Sequence, residues 1–240
     1  MNNSSHTRLY KAGAIALLVG SILGFFLFFM QLRITQYTFG VPSDTVSQLH
    51  VLAAHSSLMA GDAYLWIIDD FITIIAAISI YMVLRPINKS AALVALAISL
   101  AYVPYDILVT EANSLHLNIL AQQYTTAISL TLQAHYVAAA SSGFSALPLE
   151  TALSFALGSI GYLIYSAIMR KSFFGKTVAV LGIIVNAAAI IGAAGTLVPS
   201  GIIAIFGLLE LFAVPLTAVW TIIVGVKLYR FSSNANATVS

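Results

Sequence analysis

The chain has 240 residues, of which 60% are apolar and 8% charged, with a mean hydropathy of +0.97 and a formal charge of +2. That much hydrocarbon cannot be enclosed in one water-soluble globule, which leaves lipid as its solvent and the bilayer as its first partner. The absence of cysteine excludes disulfides, thiolate metal sites, iron–sulfur clusters and cysteine nucleophiles. With no basic run interleaved with aromatics, nucleic acid is not an expected partner.

The apolar residues arrive in blocks of about 20, the length that spans a hydrocarbon core of about 30 Å. The first block covers residues 10–32. It has no small-residue cleavage site and reads as a retained helix rather than a signal peptide. A polar stretch, 33–63, carries Gly40, Pro42, Asp44, His50 and His55, and within it Thr45 to Met59 predicts a short helix ended by Gly61. Spans at 64–84 and 91–110 follow, separated by Arg85-Pro86-Ile87-Asn88-Lys89, where proline and asparagine break the helix.

Residues 111–147 are the ambiguous segment. Asn118, Gln122, Thr126, Ser129 and Gln133 recur at steps of three or four, while Leu115, Ile119, Ile128 and Leu132 lie elsewhere around the helix. This reads as an amphipathic helix over 115–137, lying in the interface or capping the bundle, with a seventh span as the alternative. Spans at 148–169 and 178–198 come next, joined by the basic turn from Arg170 to Lys176. Small residues on the second of these, from Ala188 to Gly195, predict close helix packing, and its Asn186 predicts a bond across helices. The last span is 202–226, and 231–240 reads as a flexible cytoplasmic tail.

The expected fold is therefore all-α: one polytopic bundle of six spans with two amphipathic outer segments. Lysine and arginine are retained in cytoplasmic loops. Six spans with a cytoplasmic N-terminus place nine of the ten basic residues inside and leave only Arg33 outside. The same topology gathers all eight acidic residues, and His50, His55, His116 and His135, in the outer half or outer loops.

Counted from the basic residue at the inner end of each helix, Asp69, Asp70, Asp106 and Glu210 all lie about 22 to 26 Å above the inner boundary at about 1.5 Å per residue. Ionised carboxylates at such depth must face the bundle interior, share protons or meet a cation. Arg33 cannot neutralise all of them. Pro104 and Pro215 stand beside this layer and tend to kink their helices, which opens space for a polar pocket. Asp69, Asp70, Asp106 and Glu210, with Arg33 and Glu111, are thus the candidate ligand-binding or proton-binding residues. Asp62 and Asp69 also fit headgroup-level helix starts, which Asp70, Asp106 and Glu210 fit less well, and Tyr64, Trp66, Tyr102 and Tyr105 fit the ordinary interfacial aromatic belt.

Metal chemistry has a weaker basis. His50 and His55 are five apart, about 140° around a helix, so they form no ligand pair, and no HExxH is present. A zinc or copper site needs His50 or His55 to meet His116, His135 and a carboxylate from separate loops. Neither a G-x-S-x-G serine signature nor a glycine-rich phosphate loop occurs. The cofactor stays open, with haem a minor variant because His50, His55, His116 and His135 lie outside the spans, where paired transmembrane haem ligands do not normally stand.

Thr7-Arg8-Leu9-Tyr10-Lys11-Ala12-Gly13 opening the first span, the long outer loop, and the Asp69-bearing second span ending Tyr81-Met82-Val83-Leu84-Arg85-Pro86-Ile87-Asn88-Lys89 together resemble a family of uncharacterised prokaryotic six-span membrane proteins. The resemblance implies the span count and carries no activity. Three functional classes stay open: a protein that binds or transports a cation, proton or small amphiphile in an outward carboxylate pocket, an accessory subunit of a larger membrane complex or homo-oligomer, and a metal-dependent membrane enzyme acting at the outer interface.

Overall fold

The computed structural model describes residues 3–38, 41–195 and 203–237, where all regular structure is helical. Eight α-helices follow in order: α1 (Asn3–Thr38), α2 (Thr45–Ala54), α3 (Ser56–Leu84), α4 (Lys89–Tyr105), α5 (Ala112–Thr126), α6 (Leu130–Met169), α7 (Gly175–Gly195) and α8 (Ile203–Ala237). A π-helical turn, Asp106–Glu111, joins α4 to α5. Six stretches are long and apolar enough to cross a membrane: Thr7–Ile34, Ser56–Leu84, Lys89–Thr126, Leu130–Met169, Gly175–Gly195 and Phe212–Asn234. The chain is an all-α, multi-pass bundle.

Side-chain caps set several boundaries. Asp44 accepts from the Ser47 N–H at the start of α2, Asn88 from the Ala91 N–H at the start of α4, and Ser129 from the Leu132 N–H at the start of α6. The α6–α7 turn closes through the Phe174 N–H on Ser172 Oγ and through Gly175, whose φ of 83° suits a residue without a Cβ.

The six crossing helices form a closed ring: α1 packs on α3 and α8, α3 on α4, α4 on α6, α6 on α7, and α7 on α8. Small residues let the backbones approach. A Cβ on Gly13 would collide with Ser79, one on Gly161 with Ser99, and one on Gly182 with Ser166 and Trp220. Buried polar bonds add to this packing, across the ring from Tyr165 Oη of α6 to the Ala77 carbonyl of α3 at 3.0 Å, and at the α7–α8 seam from Trp220 Nε1 to the Val178 carbonyl at 3.0 Å. At the end of the ring that carries the basic turns, Ile80, Leu84, Met169, Trp220, Val224 and Leu228 belong to one continuous apolar core.

Several expectations are revised. Among the described residues there is no seventh stretch long and apolar enough to cross, and 115–137 is not one helix: it breaks at Ala127 to Ser129, with α5 on one side and α6 on the other. The π-helical turn carries the third span on into α5, and α6 begins at Leu130 rather than at 148, running through Pro148. The two strokes form an antiparallel hairpin. At about 1.5 Å per residue a helix of 38 residues reaches about 57 Å, well past a hydrocarbon core of about 30 Å.

Most of the polar stripe is exposed, Gln122, Thr126 and Ser129 included, and Asn118 departs from it. Leu117, Leu120, Ala121 and Tyr124 of α5 are buried in a second small core with Leu49 and Ala140, while Ile119 and Ile128 are exposed. Asn118, assigned to the wet face, is buried and donates to the Ser56 carbonyl at 3.0 Å. The short helix in 33–63 is α2, but it ends at His55, and Gly61 lies within α3 instead of stopping a helix.

The C-terminal segment is helical to Ala237 because Phe231 stacks on Phe173 at 4.3 Å and packs near Tyr10 at 5.8 Å, which holds the last turns of α8 against the bundle. Lys227 Nζ adds a bond to the Phe174 carbonyl at 2.7 Å. Residues 196–198 of the fifth span, 202 of the sixth and 238–240 of the tail lie outside the described residues.

Candidate functional site

The site is an open space inside the ring, on the side away from the basic turns. A vestibule of about 590 Å³ is walled by α1, α2, α3, α4 with its π-helical turn, α5 and α6, and Val214 of α8 also reaches it. Its lining is mostly apolar, including Phe28, Leu52, Met59, Leu117 and Phe144, and into it come the carboxyl groups of Asp62, Asp106 and Glu111. A smaller chamber of about 180 Å³ lies toward the basic end, and Asp69 lines it. The two spaces share the walls Trp66, Tyr102, Ser154, Phe155 and Val214.

Local helix geometry places the acids. Asp62, Trp66, Asp69 and Thr73 are spaced four, three and four residues apart on α3, one continuous helical face. Asp106 and Glu111 are five apart, which in an α-helix would separate them by about 140°. Pro104 lacks an N–H and crowds the carbonyl four residues before it, and two residues on the chain turns π-helical, with the Ala112 N–H bonded to the Ile107 carbonyl. Bonding between residues five apart stacks them, so both carboxyls open on the same space.

Hydrogen bonding divides the acids. Ser154 Oγ donates to Asp106 Oδ1. Gln31 Nε2 donates to Asp62 Oδ2 at 2.6 Å, while Asp62 Oδ1 is buried without a partner. Asp70, 1% exposed, lies against Tyr102 and Asp106, yet neither of its oxygens meets a donor in hydrogen-bond geometry. Gln48 Oε1, on the vestibule wall, is likewise an acceptor without a donor. Glu111 feels the charges of Asp106, Asp62 and Asp70. Among the described residues no lysine, arginine or histidine lines either space.

Of the sequence candidates, the fold brings together Asp69, Asp70, Asp106 and Glu111. Arg33 does not join them: it is exposed and its guanidinium bonds Gln36 at 3.1 Å. Glu210 sits on α8, but its side chain lies outside the described residues. The histidines are dispersed. His50 meets Tyr124 edge-on, His55 stacks on Tyr37 at 3.8 Å, and His116 and His135 are exposed. Among the described residues no group of three or more His, Asp or Glu is arranged to hold a metal ion.

Sequence reasoning missed Asp62, Gln31, Trp66 and Tyr102. The spacing of Asp62 from Asp69 by two helical turns was the available signal for the first. Trp66 and Tyr102 line the cavity instead of serving the interfacial belt, while Tyr64 is exposed as the belt reading expects. Asn186 bonds the Gly182 carbonyl of its own helix at 2.8 Å rather than a neighbouring helix, and it lines the inner chamber. No protein-family model, curated protein or solved structure matches this chain.

Proposed function

We propose that this protein binds an amphiphilic organic amine in its cationic form, with the ammonium group among Asp62, Asp106 and Glu111 and the hydrocarbon part against the apolar vestibule wall. The observation that carries the reading is the one-sided chemistry of the site: among the described residues the unpartnered polar atoms on the vestibule wall, Asp62 Oδ1 and Gln48 Oε1, are both acceptors, and no cationic side chain lines the space. A ligand that satisfies them brings N–H donors and positive charge. The volume, about 590 Å³, lies within the roughly 300–1,000 Å³ of small-molecule sites.

The clustering of nine of ten lysines and arginines at one end supports a plasma-membrane orientation with both termini cytoplasmic, so the vestibule opens outward. Titration of octylammonium into the protein in lipid nanodiscs, with empty nanodiscs subtracted, tests the binding. Saturable uptake of octylammonium and none of octanoate is expected. Equal uptake of the two ions would end this reading.

A second reading, an accessory subunit of a membrane complex, is favoured by the α5–α6 hairpin. Residues 112–149 contain no Asp, Glu, Lys or Arg, and the tip exposes Ile128 at 96% and Leu130 at 84%. Crosslinking from Ser129→Cys in native membranes checks it. A partner chain captured at the tip supports it, and capture of nothing but lipid counts against it.

A further inference from the structure

The vestibule is not the end of the path into the bundle. We propose that the chamber beneath it is a second, size-limited cation site centred on Asp69, entered through an aromatic constriction and selective for compact amines such as benzylammonium. This rests on the amine-binding reading of the vestibule, through which a ligand reaches it.

Four observations carry the inference. All six crossing helices contribute to the chamber wall, so it lies on the axis of the ring, not in a surface crevice. Its boundary with the vestibule is formed by Trp66, Phe155 and Tyr102, and the Trp66 and Phe155 rings meet edge to face at 5.9 Å. Asp69 is the one acidic residue among the described residues that line it, and Gly20 of α1 stands close: a Cβ there would sit 3.3 Å from Asp69 Oδ1. Asp70, next to Asp69 in the chain, is buried against Tyr102 and Asp106 just behind the constriction, so carboxyl groups stand on both sides of the Tyr102 wall.

The remaining wall suits an ammonium head with a small flat body. Ser21, Thr73, Ser159 and Thr221 supply hydroxyl oxygens, and the faces of Tyr102 and Tyr162 are aromatic. A cation over an aromatic face gains from the ring quadrupole. The volume of about 180 Å³ is close to the roughly 150 Å³ cavity that accepts benzene, which sets the size limit. Toward the basic end the apolar core closes the space, so a ligand that enters stops there.

The experiment compares two amines on three variants in nanodiscs. Benzylammonium should lose at least tenfold in its tightest binding on Asp69→Asn, whereas Asp62→Asn should weaken octylammonium more than benzylammonium. Gly24→Leu provides a variant that keeps every carboxylate: Gly24 lines the chamber but not the vestibule, and a Cβ there meets nothing within 4 Å, so the side chain fills the space without a clash at its root. It should abolish that tightest benzylammonium binding and leave octylammonium binding to the vestibule within threefold of the parent. Benzylammonium binding that falls on Asp62→Asn but survives Asp69→Asn and Gly24→Leu would overturn the inner site while the vestibule reading stands. Failure of both amines to bind the parent protein would overturn both.

Discussion

Replacing Asp62 by asparagine isolates what the vestibule charge contributes. The substitution keeps the size and one carbonyl oxygen, which can go on accepting from Gln31 Nε2, now at 2.6 Å. It removes the negative charge and turns the unpartnered acceptor into an N–H donor. An ammonium ligand therefore loses one charge-assisted hydrogen bond, about 1.5–3 kcal/mol in a site as buried as this one. At about 1.4 kcal/mol per tenfold, the dissociation constant for octylammonium should rise between about 10-fold and 150-fold. Asp62 is 8% exposed, so salt screens little of this. The assay is calorimetric titration in nanodiscs, with thermal unfolding alongside. A folded variant whose affinity changes by less than threefold would refute the argument that an acceptor-rich wall recognises a donor-bearing cation.

Four further outcomes follow from the packing and the charge distribution. Gly161→Ala drives a Cβ into Ser99 at the α4–α6 seam and should destabilise the protein by about 1–3 kcal/mol, read as a lower unfolding midpoint in detergent. Trp220→Phe leaves the Val178 carbonyl without its 3.0 Å indole donor and opens space against Gly182, with a loss of about 1–3 kcal/mol by the same measurement. Asp44 is held below its ordinary 3.8 by hydrogen bonds from the side chain and backbone of Ser47. Its cap therefore stabilises α2 above the ordinary carboxylate range and is lost as pH falls through the depressed value, so amide exchange in α2 should quicken on acidification in the parent and show no such step in Asp44→Ala. The chain lacks cysteine, so Lys171→Cys and Gln123→Cys each give a single label site; an impermeant maleimide on intact cells should modify the second and spare the first, and the reverse pattern would invert the proposed orientation.

The acid layer shows how far helix counting reaches. Distances along the chain from Arg85 and Lys89 suffice to bring Asp69, Asp70 and Asp106 to one level, because the rise of a helix is the same everywhere. The rotation of each residue about its axis is another matter. Glu111 joins Asp106 on one wall through the π-helical turn after Pro104, a local change in pitch that shifts every later residue around the axis. Within α5 the periodic pattern sets Gln122 and Thr126 on an exposed face, but it does not say which of the other residues meet a neighbouring helix. Leu117, Leu120, Ala121 and Tyr124 were equally available as a stripe, and only the presence of α2 and α6 against them selects that stripe for burial.

The six crossings, the all-helical class and the concentration of basic residues at one end belong to the sequence alone, since each depends on local quantities: block length, apolar content and charge. Whether the carboxyl groups converge on a cavity is a property of the ring. Trp66, Tyr102 and Phe155 come from three helices far apart in the chain, and the wall they make exists because α3, α4 and α6 are neighbours. Arg33 is the reverse case. It stands at the correct end of the bundle, yet its helix turns it outward, so the acids gain no fixed cation from it.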